Sequence, residues 1–304
     1  MKRSKRPVNG VLLLDKPYRA SSNMALQKAR WLMNAEKAGH TGVLDPLATG
    51  LLPLCFGEAT KFAQRLLDSD KAYLAELKLG ETTTTGDLEG EIVEQRPVSV
   101  SGEQIIKVLC GFVGEQDQLP PMYSALKYQG KALYEYARQG VEVERAARRI
   151  TIHDIQLQSL SGNALSIAVR CSKGTYIRTL AEDIGKALGC GAHLTALRRQ
   201  GTARFDIQDA ITLEALEALD LEQRDSLLLP ADVLVLDLPE IFLDSESARR
   251  LCHGMSVRYQ PESAIIGDFR LYRGTSDGRR EFIGLGELAS NCTLYPRRLL
   301  ASSQ

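Results

Sequence analysis

The sequence predicts an α/β protein, in which a mixed, mostly antiparallel sheet is flanked by helices and followed by a small β-rich module. Apolar residues recur at helical spacing in some segments, such as 22–33, and alternate with polar residues in others, such as 71–79 and 164–171. The segment TTTTGDLEGE at 82–91 is typical of a hairpin end and indicates antiparallel neighbours. A boundary near Pro239 separates two expected domains, 1–236 and 239–304.

The composition is that of a globular protein with ample material for a core. Of 304 residues, 44% are hydrophobic and 25% are charged, and no apolar run reaches the length of a membrane span. The start MKRSKRPVNG lacks the apolar core of a signal peptide. Six cysteines are scattered singly, as is usual for reduced thiols. We therefore expect a cytoplasmic protein without a membrane partner.

The formal net charge of zero hides an uneven distribution of charge. Residues 1–30 carry eight basic side chains against one acid, Asp15, whereas residues 206–246 carry twelve acids against only Arg224. A basic region can neutralise phosphates while acids elsewhere cancel it in the sum. The alternative is a basic tail that only improves solubility.

The first elements are a short apolar strand at 11–14 and a helix capped by Ser21 or Ser22. The expected buried stripe of this helix is Ala25, Leu26, Ala29, Leu32 and Met33. Lys16 and Arg19 lie in the connection, where a basic side chain either meets a backbone phosphate or is simply solvated. The sequence does not choose between these two roles.

A glycine-rich segment follows, and Asp45 is the one acid between Lys37 and Gly57. Its glycines permit turns closed to other residues, and Pro46 disfavours a helix at Asp45. A lone carboxylate on a stiff loop among apolar residues suits chemistry better than solvation, and His40 is near enough to reach the same pocket. The alternative is an ordinary glycine-rich loop with a turn-forming Asp-Pro pair.

The middle of the chain is predicted to alternate between helices and strands. Helices are expected at 59–67, 101–113 and 130–139, and strands at 71–79, 145–155 and 164–171. The inward face of the helix at 101–113 is expected to consist of Ile105, Ile106, Leu109, Phe112 and Val113. Tyr73 shares the apolar face of its strand, where most tyrosines are plain core residues.

The segment SKGTYIR at 172–178 turns the chain into a helix with an apolar stripe. Tyr176 and Arg178 face the same way if this entry is still extended. An arginine that points into a core needs an anion, and Asp45 is the natural partner. The alternative is an exposed arginine at a helix start, which the helix dipole disfavours.

The acidic segment at 206–236 is expected to form helices on an outer surface. The module beyond Pro239 is expected to contain a helix at 245–253 and strands at 256–259, 264–266, 269–272 and 281–285. Nine arginines between 249 and 298 make it locally basic. They either contact phosphates or solvate a small barrel, and a chain that ends near Leu236 is expected to fold without them.

Five blocks of sequence together resemble the TruB-type tRNA pseudouridine synthases. They are GVLLLDKP at 10–17, GHTGVLDPLATGLLPL at 39–54 with GEATK at 57–61, KAYLAELKLGETTTTGD at 71–87, PPMYSALKYQGKALYEYARQG at 120–140 and CSKGTYIRTLAEDIG at 171–185. The resemblance covers at least residues 9–201, and the terminal module resembles the PUA-like domain of that family. Two positions depart from the pattern: Arg19 stands where Gly is usual, and Thr84 stands where Asp is common.

The resemblance implies a pseudouridine synthase fold and an isomerase that converts uridine to pseudouridine at position 55, in the TΨC loop of tRNAs. Asp45 carries over as the catalytic residue, which attacks C1′ or the base or abstracts the C2′ proton, and Arg178 as its partner. The other residues implied to contact the substrate are His40, Tyr73, Tyr176 and Leu197, with phosphate contacts at Lys16, Lys61 and Arg199.

The isomerisation neither gains nor loses a group, so the resemblance implies no metal and no organic cofactor. The implied partner is the T-arm of tRNA, with no obligate protein partner, and a monomer is expected. An RNA-folding chaperone without turnover is a rival, but it has no use for an arginine-paired carboxylate. A retaining glycosidase needs two carboxylates about 5 Å apart, and the motif supplies one.

Overall fold

The computed structural model describes residues 5–260, 265–275 and 278–301. The strands, in chain order, are β1 (Gly10–Lys16), β2 (Ala38–His40), β3 (Ala48–Phe56), β4 (Lys71–Leu79), β5 (Glu81–Thr83), β6 (Ile92–Gln95), β7 (Gly114–Gln118), β8 (Lys127–Tyr128), β9 (Lys131–Ala132), β10 (Arg148–Ser161), β11 (Ala164–Cys171), β12 (Ala192–Thr202), β13 (Phe205–Asp206), β14 (Ile211–Thr212), β15 (Glu240–Leu243), β16 (Val257–Arg258), β17 (Gly267–Gly274), β18 (Arg280–Leu288) and β19 (Thr293–Leu299). The α-helices are α1 (Ser22–Leu32), α2 (Ala63–Leu67), α3 (Gly102–Gly111), α4 (Leu133–Ala137), α5 (Ile177–Ala187), α6 (Leu213–Ala218), α7 (Leu221–Ser226) and α8 (Ser245–Cys252), with 3-10 helices at Gly57–Phe62, Ile207–Asp209 and Ala231–Leu234.

One large sheet dominates the first 236 residues. Within the described ranges it has ten strands in the order β14-β1-β3-β12-β4-β11-β10-β7, with β2 beside β3 and β13 beside β12. Its parallel pairs are β1 with β14 and β3 with β12, and the other neighbours are antiparallel. The structure therefore confirms the expected mixed, mostly antiparallel sheet, and β5 pairs with β6 as the predicted hairpin.

Helices pack on this sheet through apolar faces that the sequence pattern predicts. The hydroxyl of Ser21 caps α1 by accepting a hydrogen bond from the Met24 amide, and all five residues of the predicted stripe are buried. α3 and α5 pack with β4, β10 and β11 around a second core cluster. The centre of the sheet is thus held between packed layers, and the loop that bears Asp45 runs from β2 to β3 at this centre.

The C-terminal module is a five-stranded sheet in the order β15-β17-β18-β19-β16. Leu285 belongs to the same core cluster as Phe62 and Leu66, and the rings of Phe62 and Phe282 lie 5.5 Å apart. The Lys61 ammonium donates a hydrogen bond to the Leu299 carbonyl at 2.8 Å. The module therefore covers apolar surface of the first domain, and a chain that ended near Leu236 would expose it. This packing argues against the expectation that such a chain folds by itself.

Two predicted helices are shorter in the structure. Gly57–Phe62 is a 3-10 helix, and only α2 is α-helical. Within the 3-10 helix the Thr60 hydroxyl donates a hydrogen bond to the Gly57 carbonyl at 2.7 Å. The predicted helix at 130–139 reduces to α4, because Gln129 and Gly130 take positive φ and turn β8 into β9.

Burial also differs from the prediction in two places. Ile106 and Val113 are exposed, since helix neighbours point in different directions and Val113 lies beyond the end of α3. In the acidic segment at 206–236, Leu216 and Leu234 are buried and β14 joins the large sheet, so the segment is only partly an outer surface.

The predicted strands of the module are only partly present. Ala264 lies outside the described residues, and residues 265–266 have no regular structure before β17 begins at Gly267. The sequence analysis missed β15 and β19, the second because Pro296 argues against a strand; the pairing of β18 with β19 shifts register beside it. No helix within the described ranges is long and apolar enough to cross a membrane.

Candidate active site

The loop from Thr41 to Leu47, here called the acid loop, is fixed by buried neighbours. Leu44 and Leu47 are buried on either side of Asp45. The Leu44 amide donates to the Ser22 hydroxyl at 2.8 Å, and that hydroxyl donates back to the Leu44 carbonyl at 3.0 Å. With both flanking leucines anchored, the Asp45 side chain is directed out of the core and is 42% exposed.

Gly50 allows the strand after the acid loop to reach its central neighbour. Its φ is +101°, and a Cβ placed there would collide with the backbone of Arg199 on β12. The parallel pairing of β3 with β12 sets Leu197 opposite Ala48 and Arg199 opposite Gly50. Glycine at this position therefore brings β12 alongside the acid loop.

Arg178 is the charged partner of Asp45. α5 begins at Ile177, and Tyr176 before it is extended, whereas Arg178 already lies in the first turn of the helix. The buried guanidinium places Nη2 3.0 Å from Asp45 Oδ2. The same nitrogen donates to the Tyr123 carbonyl at 2.5 Å, and Nη1 donates to the Thr85 carbonyl at 3.3 Å. The expected ion pair is present, and these bonds hold its cation in one orientation.

Asp87 is a second carboxylate at this site, and the sequence analysis missed it. Its Oδ2 lies 3.5 Å from Arg178 Nη1, and its Oδ1 accepts bonds from the Thr85 hydroxyl and the Glu89 amide. The residue is buried, unlike Asp45, so it holds the guanidinium and does not face the opening. The available signal was an aspartate that follows a run of threonines in the hairpin segment at 82–91.

Opposing effects act on the pKa of the Asp45 carboxyl group. Surrounding protein atoms partly desolvate it, and this burial raises its pKa above the ordinary value. Arg178 opposes the rise by favouring the carboxylate, whereas Asp87 adds to it. The result is a partly accessible carboxyl that is more basic than an ordinary aspartate.

The aromatic residues predicted for the site lie near Asp45. Tyr73 on β4 is half-buried beside the core and opposite Arg199 in the strand register. Burial raises the pKa of Tyr73, and Arg199 opposes this. Burial likewise raises the pKa of Tyr176, and the Asp45 charge contributes to the rise in both cases. Leu197 is partly buried against the same core cluster, so these side chains form an apolar wall.

His40 lies in β2, paired with Leu54. Burial lowers its pKa, and the nearby Arg199 lowers it further, so the imidazole is biased toward its neutral form. Its Nδ1 is buried and has no hydrogen-bond partner among the described residues. The described residues leave this buried polar atom unsatisfied next to the acid loop.

The three residues expected to contact phosphates are placed differently from one another. Lys16 and Arg199 are fully buried, and burial lowers the pKa of Lys16 to about 8. Arg199 Nε donates to the Leu51 carbonyl at 2.7 Å. Neither cation reaches the surface in this conformation, and Lys16 donates to the carbonyls of Pro17 and Ala20 in the turn before α1. Lys61 is partly exposed but is paired with Glu58 at 2.6 Å, and its phosphate contact stays a prediction.

Comparisons with known proteins show the family to which the chain is related. The family described as "TruB family pseudouridylate synthase (N terminal domain)" matches residues 30–177, and two TruB C-terminal families match residues 178–236 and 239–300. The chain is 56% identical over 299 residues to the tRNA pseudouridine synthase B of Chromobacterium violaceum, covering 98% of this chain and 97% of that protein. It is 57% identical to the protein of the same name from Azoarcus sp. (strain BH72), with the same coverage. A solved chain from a Cbf5-Nop10-Gar1 complex is 27% identical, with a TM-score of 0.66 over 91% of this chain and 78% of that one.

The mixed sheet presents an arginine-paired carboxylate from a glycine- and proline-rich loop. Together with these matches, this arrangement defines an isomerase of the pseudouridine synthase class. Within that class, the chain belongs to the TruB family of pseudouridylate synthases.

Proposed function

We propose that this protein isomerises uridine to pseudouridine at position 55, in the TΨC loop of tRNAs, and that Asp45 acts on a flipped-out uridine. The observation that carries the proposal is the accessible Asp45 carboxylate, held 3.0 Å from the buried Arg178 guanidinium. The relatives at 56% and 57% identity are both named as tRNA pseudouridine synthases, which supports tRNA as the substrate.

The target uridine is stacked in a folded loop and must leave the stack before it reaches Asp45. Flipping a base costs a few kcal/mol. The ring of Tyr73 offers a stacking face, worth roughly 1–3 kcal/mol per base at comparable sites. Tyr176 and Leu197 border the uracil, and His40 contacts the target loop.

The reaction breaks the bond from N1 to C1′ and makes one from C5 to C1′, so that the C5 proton is lost and N1 regains a proton. Asp45 attacks C1′, attacks the base or abstracts the C2′ proton, and each route needs its ionised form. Arg178 keeps the carboxylate oriented, while Asp87 keeps Arg178 in place.

We assign catalysis to residues 1–236 and tRNA holding to the module at 239–304. The protein acts on the T-arm as a cytoplasmic monomer without an obligate protein partner or a cofactor. Six free cysteines, two of them half-buried and one exposed, fit a reducing compartment.

The direct test is to incubate the protein with an unmodified tRNA transcript and to map pseudouridine at single-nucleotide resolution. We expect modification at position 55 and nowhere else in the transcript. Binding without any pseudouridine would favour the rival class, an RNA-folding chaperone. Modification at another position would retain the enzyme class and overturn the assigned site.

The rate should fall as the pH falls through the raised pKa of Asp45. Protonation removes the carboxylate that the reaction uses, so the acid limb should lie above the ordinary aspartate value of 3.8. Single-turnover rates between about pH 4 and about pH 8 measure this limb, with circular dichroism at each pH as a control for unfolding. A rate that is constant down to the ordinary aspartate pKa would contradict the assignment.

The module should bind tRNA through arginines that the protein leaves unpaired. Arg249, Arg273, Arg280 and Arg297 already form ion pairs with glutamates, which weakens the argument from a count of arginines. Arg250 and Arg258 are exposed and form no ion pair with another described residue.

Because the module shares a core with the first domain, point variants of the full chain test it better than truncation. The double variant Arg250→Ala, Arg258→Ala should bind full-length tRNA more weakly, with a salt slope shallower by about 0.7–0.9 per lost contact. Turnover of an excised T-arm stem-loop should be unchanged. Arg249→Ala is the matched control, and an effect as large in that variant would show that the arginines act only through general charge.

A further inference from the structure

Arg19 has a strained backbone conformation beside the acid loop. Its φ is +65°, in the left-handed region that side chains other than glycine disfavour. Its amide donates to the Pro46 carbonyl at 2.9 Å, and Pro46 directly follows Asp45. Strain of this kind persists where the surrounding structure imposes it and is concentrated at functional sites.

The turn that carries Arg19 is fixed to the acid loop at several points. The buried Lys16 ammonium donates to the carbonyls of Pro17 at 3.0 Å and Ala20 at 2.6 Å, on either side of Tyr18 and Arg19. Ser22, just beyond the turn, exchanges two hydrogen bonds with Leu44. These hydrogen bonds join the turn to the acid loop, so that the distance between Arg19 and Asp45 is fixed.

The Arg19 side chain carries a charge that the protein does not neutralise. It is exposed, and its guanidinium carbon lies 5.4 Å from the centre of the half-exposed Tyr18 ring. It forms no ion pair with any residue that the structure describes, whereas Arg198 is paired with Asp15 at 2.7 Å. Stacking on Tyr18 restricts the side chain and leaves its donors open to solvent.

We propose that Arg19, stacked on Tyr18, binds a backbone phosphate of the RNA next to the nucleotide on which Asp45 acts. This inference rests on the proposed function and adds a substrate contact to it. The Cα atoms of Asp45 and Pro46 are about 3.8 Å apart, so the Arg19 backbone, bonded to Pro46, lies beside the residue that carries the reacting carboxylate. A ribose held at Asp45 carries a phosphate on each side, and a guanidinium fork matches phosphate oxygens.

Two substitutions separate the charge of Arg19 from its strain. Arg19→Gln removes the charge and retains a side chain in the left-handed region, whereas Arg19→Gly removes both. Both variants should bind tRNA about three- to tenfold more weakly, with a salt slope shallower by about 0.7–0.9. Only Arg19→Gly should raise the Tm, because glycine adopts this φ without strain.

Two control variants match these changes one at a time. Lys107→Gln removes an exposed charge on α3 and should leave both affinity and salt slope unchanged. Ala203→Gly relieves another positive φ, of 53°, and should raise the Tm without changing affinity. Arg19→Lys retains the charge without the fork and should bind between the parent and Arg19→Gln.

The inference is overturned if Arg19→Gln binds tRNA with the affinity and salt slope of the parent. The parent's pseudouridine yield on the same transcript separates this failure from failure of the proposed function. If the parent makes pseudouridine and Arg19→Gln binds normally, only the phosphate contact is wrong. If the parent makes none while Arg19→Gln still loses affinity, the contact stands and the proposed reaction fails.

Discussion

Asp45→Asn is expected to abolish pseudouridine formation while the protein stays folded and bound to tRNA. The amide keeps the shape of the carboxyl but supplies neither a nucleophile nor a base. Binding depends on other groups, so tRNA affinity should stay within about tenfold, roughly 1.4 kcal/mol. Single-turnover assays with excess enzyme measure the loss of chemistry, and filter binding measures affinity. Residual activity above a few per cent of the parent would show that Asp45 is not the catalytic residue.

The stability of the same variant distinguishes a catalytic from a structural carboxylate. The pKa of Asp45 is raised in the folded state, so the stability it contributes is present below its unfolded pKa and is lost as the pH rises through the folded pKa. Near neutral pH the ionised carboxylate therefore lowers the stability of the folded state. Asp45→Asn should have a Tm equal to or above that of the parent. Asp68→Asn, which breaks an exposed pair with Lys173, is the matched control and should retain full activity.

Arg178→Ala is expected to remove activity and to destabilise the fold. Arg178 is buried between Asp45 and Asp87, and its loss leaves the two carboxylates without a cation. Breaking a well-buried pair costs on the order of 3–5 kcal/mol. The pKa of Asp45 should rise further, because Arg178 is the main group that lowers it. Any residual activity should therefore have its acid limb at higher pH than the parent.

Arg178→Lys tests whether the geometry of the guanidinium matters as well as its charge. Arg178 contacts Asp45, Asp87 and the carbonyls of Thr85 and Tyr123 at once. A lysine ammonium supplies three donors from one point and cannot span these acceptors. The variant should fold better than Arg178→Ala but recover little activity. A fully active lysine variant would disprove the role of Arg178 as a positioning group.

Local patterns account for the part of the site that the sequence alone determined. Asp45 stands out because a loop of Gly, Pro and apolar residues surrounds it, whereas the alternating strand places Tyr73 on an apolar face and only the family resemblance implies its role. The stripe of α1 follows from the same short-range periodicity, and the structure contains it. Such features depend on neighbours within a few residues, so they can be recognised in a single sequence.

Only the tertiary structure decided which charges meet. Asp87 and the carbonyls of Thr85 and Tyr123 join Arg178 from segments far apart in the chain, and no local pattern connects them. Only the three-dimensional structure shows that Lys16 and Arg199 are buried, since a basic residue in a connection is usually solvated. The shared core of the terminal module and the left-handed turn at Arg19 are likewise products of packing. The sequence predicted the reacting group and indicated the family, whereas long-range packing decided the electrostatics around Asp45, because ion pairs and desolvation depend on distances in space and not along the chain.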